Sequence, residues 1–125
     1  MTASACITAL RYALDNDVWS KAGAIEHWFE PWRQRFETHL LVENIQGLGA
    51  MFGIELKLPE GMGRRELAAD VRSAILRQGL LVWECGIDSV VIGLIPPFMV
   101  DETDVNAACE MVLAALDCVL SAHRR

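Results

Sequence analysis

The residue pattern predicts an α/β (α+β) two-layer sandwich, in which helices cover one face of a small sheet of three or four strands. Three observations lead there. Four stretches carry apolar residues at helical spacing, three short runs read as strands, and the two kinds of segment are interleaved along a chain of 125 residues, a length suited to one domain. Residues 1–125 are accordingly read as a single domain, with residues 1–40 a helical N-terminal part and residues 41–125 the α/β part.

Ala3 to Leu14 places Ala5, Ala9, Leu10, Ala13 and Leu14 on one helical face, and Asn16-Asp17 interrupts it as a turn. A second helical pattern runs from Val18 to Leu40 through Ala22, Ile25, Trp28, Phe29, Trp32, Phe36 and Leu40. Pro31 must kink this helix or restart it. Next, Ile54, Leu56 and Leu58 alternate with Glu55 and Lys57, the period of a strand with one wet face, after a turn or bulge marked by Gly47 and Gly49. Pro59 to Gly63 is loop. RRELAADVRSAILRQG then forms an amphipathic helix through Leu67, Val71, Ala74 and Ile75, stopped by Gly79. Leu80 to Trp83 is a short strand, VVIGLI a second one after a Gly-Ile-Asp-Ser turn, and Asp101 opens the last helix with acids at its positive end.

Composition excludes several classes of function. With 53% hydrophobic and 22% charged residues the chain is far from the disordered range, and part of its apolar surplus can face a partner. A net charge of −6, with no basic cluster beyond Arg64-Arg65 and Arg124-Arg125, argues against nucleic acid. No apolar run approaches bilayer length and the N-terminus lacks the features of a signal peptide, so neither a membrane nor export is expected and the cytoplasm is the default. Cys6, Cys85, Cys109 and Cys118 are too dispersed for a zinc pattern and read as buried free thiols.

Nothing in the residues forms a self-contained active site. GLGAMFG has the spacing G-x-G-x-x-x-G and leads into a strand, so it reads as a turn and a closely packed strand instead of a dinucleotide fingerprint. His27, His39 and His123 have no ligand-spaced partners, and Trp28 and Trp32, four apart, share a packing face. Neither Lys21 nor Lys57 sits where an amine would be desolvated and activated. No metal site, nucleophile elbow or paired carboxylates stand out. Gly93 is the anomaly, the weakest strand former in the middle of an apolar strand.

Taken in order, GLGAMFGIEL, the helix ending RQGLLV, then ECG, VVIGLIPPF and DVNAACEMVLAALDCVL resemble the C-terminal part of the class III pyridoxal-phosphate-dependent aminotransferases. This fold-type I group includes ornithine, 4-aminobutyrate and diaminobutyrate aminotransferases. The resemblance covers nearly the whole chain, since ACITAL also resembles the Ala-rich helix after the family's Gly-Asn-Pro segment, and LLVWECGIDSVV is similar to the Glu-x-x-Gly turn of diaminobutyrate-type members.

The resemblance implies the small domain of such an enzyme. The Schiff-base lysine, the aspartate on the pyridine nitrogen and the phosphate grip would lie upstream of Met1. Pyridoxal phosphate is then implied by the family but not bound by this chain alone, which supplies no catalytic or cofactor-binding residue and is not expected to transaminate unaided. Its implied partners are an aminotransferase large domain or a homo-oligomer partner, with an amino-acid or amine substrate in the complete enzyme. In the family's IRLLPPL-like strand the second position is commonly an arginine that pairs with a substrate carboxylate; here it is Gly93. Either the carboxylate anchor has been lost or Gly93 admits a neighbouring backbone. Trp83, Glu84, Gly93 and Phe98 are the substrate-side candidates. The alternative is a catalytically inactive, family-derived interaction or assembly module, whose apolar surplus covers an interface.

Overall fold

The computed structural model describes residues 2–87 and 90–123. Helices α1 (Thr2–Asp15) and α2 (Val18–Glu37) come first, followed by the hairpin β1 (Val42–Leu48) and β2 (Met51–Leu56). Helix α3 (Arg64–Arg77) leads to β3 (Trp83–Cys85) and β4 (Val91–Leu94), and α4 (Glu102–His123) closes the fold. The four strands form one antiparallel sheet in the order β1-β2-β4-β3. This is the α+β class that the sequence predicts, at the four-stranded end of its range.

The sheet contains one strand that the sequence pattern does not predict, and two others are displaced along the chain. β1 occupies residues to which the sequence pattern gives no element, between the helix predicted to Leu40 and the turn at Gly47 and Gly49, because its apolar signal is thin: only Val42 and Ile45 are buried, and a register shift between Val42 and Asn44 breaks the alternation. Gly49-Ala50 forms the two-residue connection beyond the Leu48–Met51 pair. β2 therefore starts and ends earlier than the Ile54 to Leu58 pattern suggests. β3 also begins only at Trp83, so Leu80 to Val82 is an approach to the strand.

Helix α2 starts after Asp17, which takes the left-handed conformation at φ 45°. It ends at Glu37, three residues short of the apolar pattern, and passes through Pro31 without interruption. Its buried stripe is Val18, Ile25, Phe29, Trp32 and Phe36; Phe29 stacks on Phe52 of β2, with ring centroids 4.5 Å apart. Trp28 packs beside this stripe, so both members of the Trp28/Trp32 pair serve the core, and Trp32 Nε1 donates to Asn106 Oδ1 at 2.6 Å.

Helix α4 is capped reciprocally: Asp104 N donates to Asp101 Oδ1 and Asp101 N to Asp104 Oδ2. Contrary to the sequence reading, α4 is by length and composition apolar enough to cross a membrane. Its three-to-four-residue stripe of Val105, Cys109, Val112, Leu116 and Val119 nevertheless lies in the protein core.

The core sits between helices α2, α3 and α4 and the sheet face that carries Ile45, Phe52, Ile54, Leu56, Ile92 and Leu94. Strand residues between these point to the opposite face. Helix α1 stands apart, with no buried residue.

Candidate functional site

The face of the sheet turned away from the core is built around two glycines. Gly53 of β2 and Gly93 of β4 are register partners, and Gly93 is in turn opposite Trp83 of β3. A Cβ on Gly93 would meet Cys85 Sγ at 3.1 Å and the Trp83 Cβ at 3.6 Å; one on Gly53 would meet the side chains of Gln46 and Val91 at 3.2 Å. The two strands thus meet without side chains at one level of the sheet, where Gly93 is buried and Gly53 half-buried, with Trp83 and Cys85 on one flank and Gln46 on the other. Trp83 itself is 68% exposed.

Beyond β4, Pro96 and Pro97 steer the chain out of the sheet. Trp83, Leu81, Leu94, Ile95 and these prolines line a cleft of about 480 Å³ that reaches Val105 and Ala108 of α4. Asp104 at its rim is the charged residue of the lining. A second, wider groove of about 1230 Å³ runs between α1 and the Phe98-Met99 loop, where the Tyr12 hydroxyl meets Met99 Sδ at 3.3 Å.

The structure brings together two of the four sequence-predicted residues. Trp83 and Gly93 are cross-strand neighbours. Phe98 belongs to the groove along α1. Glu84 is opposite Ile92, a core residue, so it points to the helix side of the sheet, where it forms an ion pair with Arg72 of α3. Period-two alternation along β3 separates Glu84 from Trp83, and that was legible in the sequence once the strand was placed. Cys85, against Gly93, is the neighbour the sequence reading left out.

The electrostatics are plain. Among the described residues no polar or charged residue is fully buried, and no cluster of three His, Cys, Asp or Glu side chains could hold a metal. Lys57 is exposed and faces Glu43 at 3.9 Å. Lys21 lies on an exposed position of α2. The residues lining these two clefts do not fit pyridoxal phosphate, since neither lysine nor any arginine is among them.

All four cysteines are free, as expected, but only Cys109 is buried; Cys6 and Cys118 are exposed and Cys85 is half-buried. Burial pushes the Cys109 thiol from 9.0 up to about 12, against a smaller opposing pull from Arg35. Ellman's reagent is expected to label Cys6 and Cys118 rapidly in the native protein and Cys109 only after unfolding. The sign of the linkage follows: the folded state keeps the Cys109 proton where the unfolded chain releases it, so this contribution to stability is intact below pH 9.0 and declines as pH rises toward about 12. Denaturation midpoints measured across that range check it.

The profile of the family described as aminotransferase class-III matches residues 1–116. No curated protein matches the sequence. Among solved structures, the chain is similar to an ancestral-reconstruction transaminase at TM-score 0.86 and 18% identity, over 96% of this chain and 27% of the other. A thermostable (S)-enantioselective omega-transaminase from Thermomicrobium roseum matches at TM-score 0.77 and 24% identity, over 91% of this chain and 26% of the other. The omega transaminase of Pseudomonas jessenii in complex with PMP matches at TM-score 0.77 and 21% identity, over 90% and 25%. The chain therefore spans about a quarter of the length of these structures. The structural likenesses establish the fold, and the profile match over residues 1–116 establishes that the chain belongs to the class III aminotransferase family.

Proposed function

We propose that this chain is the C-terminal, substrate-side part of a class III pyridoxal-phosphate-dependent aminotransferase, working with a large domain that carries the cofactor lysine. The observation that carries this reading is the combination of a family match along residues 1–116 with a span of only about a quarter of the solved transaminases. The chemistry agrees with it. The cofactor acts as an electron sink only when a protein lysine and a phosphate grip hold it, and no lysine or arginine lines the two clefts of this chain. What this chain contributes is a wall: the exposed Trp83 indole, set against the buried Gly93, and the proline-stiffened exit of β4. Such a wall orients an amino-acid or amine substrate and excludes water, while proton transfer falls to the other domain. The cytoplasm is the compartment that suits this assignment.

A second reading, an inactive assembly module, is favoured by α1, which buries no residue and exposes Ile7, Leu10 and Leu14. One experiment separates the two. The purified chain with added pyridoxal phosphate is expected to show no internal-aldimine absorbance. Mixed with a class III large domain from the same source, it is expected to show that band and ping-pong transamination. A mixture in which the two polypeptides associate without turnover supports the module; an aldimine on the isolated chain defeats the first reading.

A further inference from the structure

The corner between α2 and β1 turns on a histidine with both ring nitrogens engaged. The His39 side chain is only 7% exposed. Its Nδ1 accepts the backbone N–H of Leu41 at 3.1 Å. A ring nitrogen that accepts from an amide carries no proton, so the neutral imidazole holds its hydrogen on Nε2. That nitrogen lies 3.2 Å from Asp117 Oδ1 on α4, to which it donates.

We propose that His39 is an acid-sensitive latch: its neutral Nε2–H form ties the start of β1 to α4, and protonation at Nδ1 releases the Leu41 amide. The cation has a donor at both nitrogens. Its Nε2–H still serves Asp117, but its Nδ1–H faces the Leu41 N–H, donor against donor, and that bond is lost. Leu41 is 2% exposed, so its amide cannot turn to water without the corner moving. The Leu41 carbonyl accepts from Lys57 N at 2.9 Å and the His39 carbonyl from Val42 N at 3.0 Å, so the strain passes directly into the beginning of β1. That strand is at the edge of the sheet and already carries its irregularity between Val42 and Asn44. It can shift without breaking the β2–β4 pairing.

Three elements that meet at this corner each carry charged groups. Asp117 of α4, 67% exposed, lies 3.2 Å from the ring at Nε2. On α2, the Arg35 guanidinium is drawn over the Trp32 ring, 4.4 Å from its centroid. On the strands, Glu43 and Lys57 face one another at 3.9 Å. Of these groups the Asp117 carboxylate alone is bonded to the ring, at Nε2, and the Leu41 amide is bonded at Nδ1.

Ring and amide NMR of the 15N-labelled protein reads both halves. The His39 ring is expected to show the Nε2–H pattern while neutral. As it titrates, the Leu41 amide shift should follow the same midpoint and its exchange protection, corrected for intrinsic pH dependence, should fall about tenfold. His39→Asn puts a non-titrating acceptor oxygen near the Nδ1 position, and Leu41 protection should then no longer follow pH. Asp117→Asn removes the charge at Nε2, and the ring and the Leu41 amide should still respond to pH at one shared midpoint. An Nδ1–H neutral ring, or Leu41 protection that is unchanged while His39 titrates, overturns the proposal. His123, whose Nε2 lies 3.2 Å from Asp70 Oδ2, is the internal reference for the titration.

Discussion

Replacing Gly47 by alanine is expected to lower the unfolding free energy by about 3 kcal/mol, the sum of backbone strain and a forced steric shift. Gly47 has φ 136°, a conformation that L side chains rarely adopt, and an added Cβ would fall inside the contact distance of the Met51 carbonyl oxygen. The obstacle is backbone on the paired strand, so no rotamer change relieves it. Relief requires opening the hairpin just where β1 meets β2, and Phe52 beside it stacks on Phe29 of α2. The contrasting substitution is Gly23→Ala on α2, where nothing lies within 4 Å of the added methyl group. That change should raise stability by about 0.5–1 kcal/mol through helix propensity. Urea midpoints of the two variants check both signs in one series. Equal midpoints would mean that the β1–β2 hairpin contributes nothing to the cooperative unit.

The glycine-rich stretch that begins at Gly47 shows what sequence text can carry. GLGAMFG read correctly as a turn followed by a closely packed strand, since glycine at such density has a backbone reason. The strand before it stayed hidden, because β1 buries only Val42 and Ile45 and its bulge destroys the alternation that identifies strands. Helices α3 and α4 were legible from their stripes and end signals. Pro31 was expected to disturb α2, yet Phe29, Trp32 and Phe36 pack around it, and tertiary burial outweighs the one backbone bond that proline removes. The candidate site was only half visible. Gly93 and Trp83 share a face because of the β3–β4 register, while Glu84, one residue on, is committed to Arg72 on the other side. The pairings His39–Asp117 and His123–Asp70 join residues 78 and 53 positions apart, and no local spacing announces them.

Within the proposed assembly, Gly93→Arg is expected to raise kcat/KM for an amino acceptor bearing a second carboxylate by about 10- to 100-fold, the range of a charge-assisted hydrogen bond. Turnover of an amine without a carboxylate should stay unchanged. The physical reason is the present emptiness of charge: Gly93 lies between Gly53 and Trp83, and no cation lines the adjoining cleft. A guanidinium added here would meet little competition for an incoming carboxylate. Local geometry sets one condition, because the new Cβ would sit 3.1 Å from Cys85 Sγ. Cys85 is half-buried on a short edge strand, so its thiol can turn aside, and Cys85→Ala in the same chain removes the contact altogether. Gly93→Gln, long and polar but uncharged, separates the effect of charge from that of filling the slot. Selective gain with arginine and none with glutamine would identify Gly93 as the position that sets substrate charge. Equal losses on both substrates in both variants would mean instead that the glycine admits a backbone or a bulky substrate group, and that its role is room.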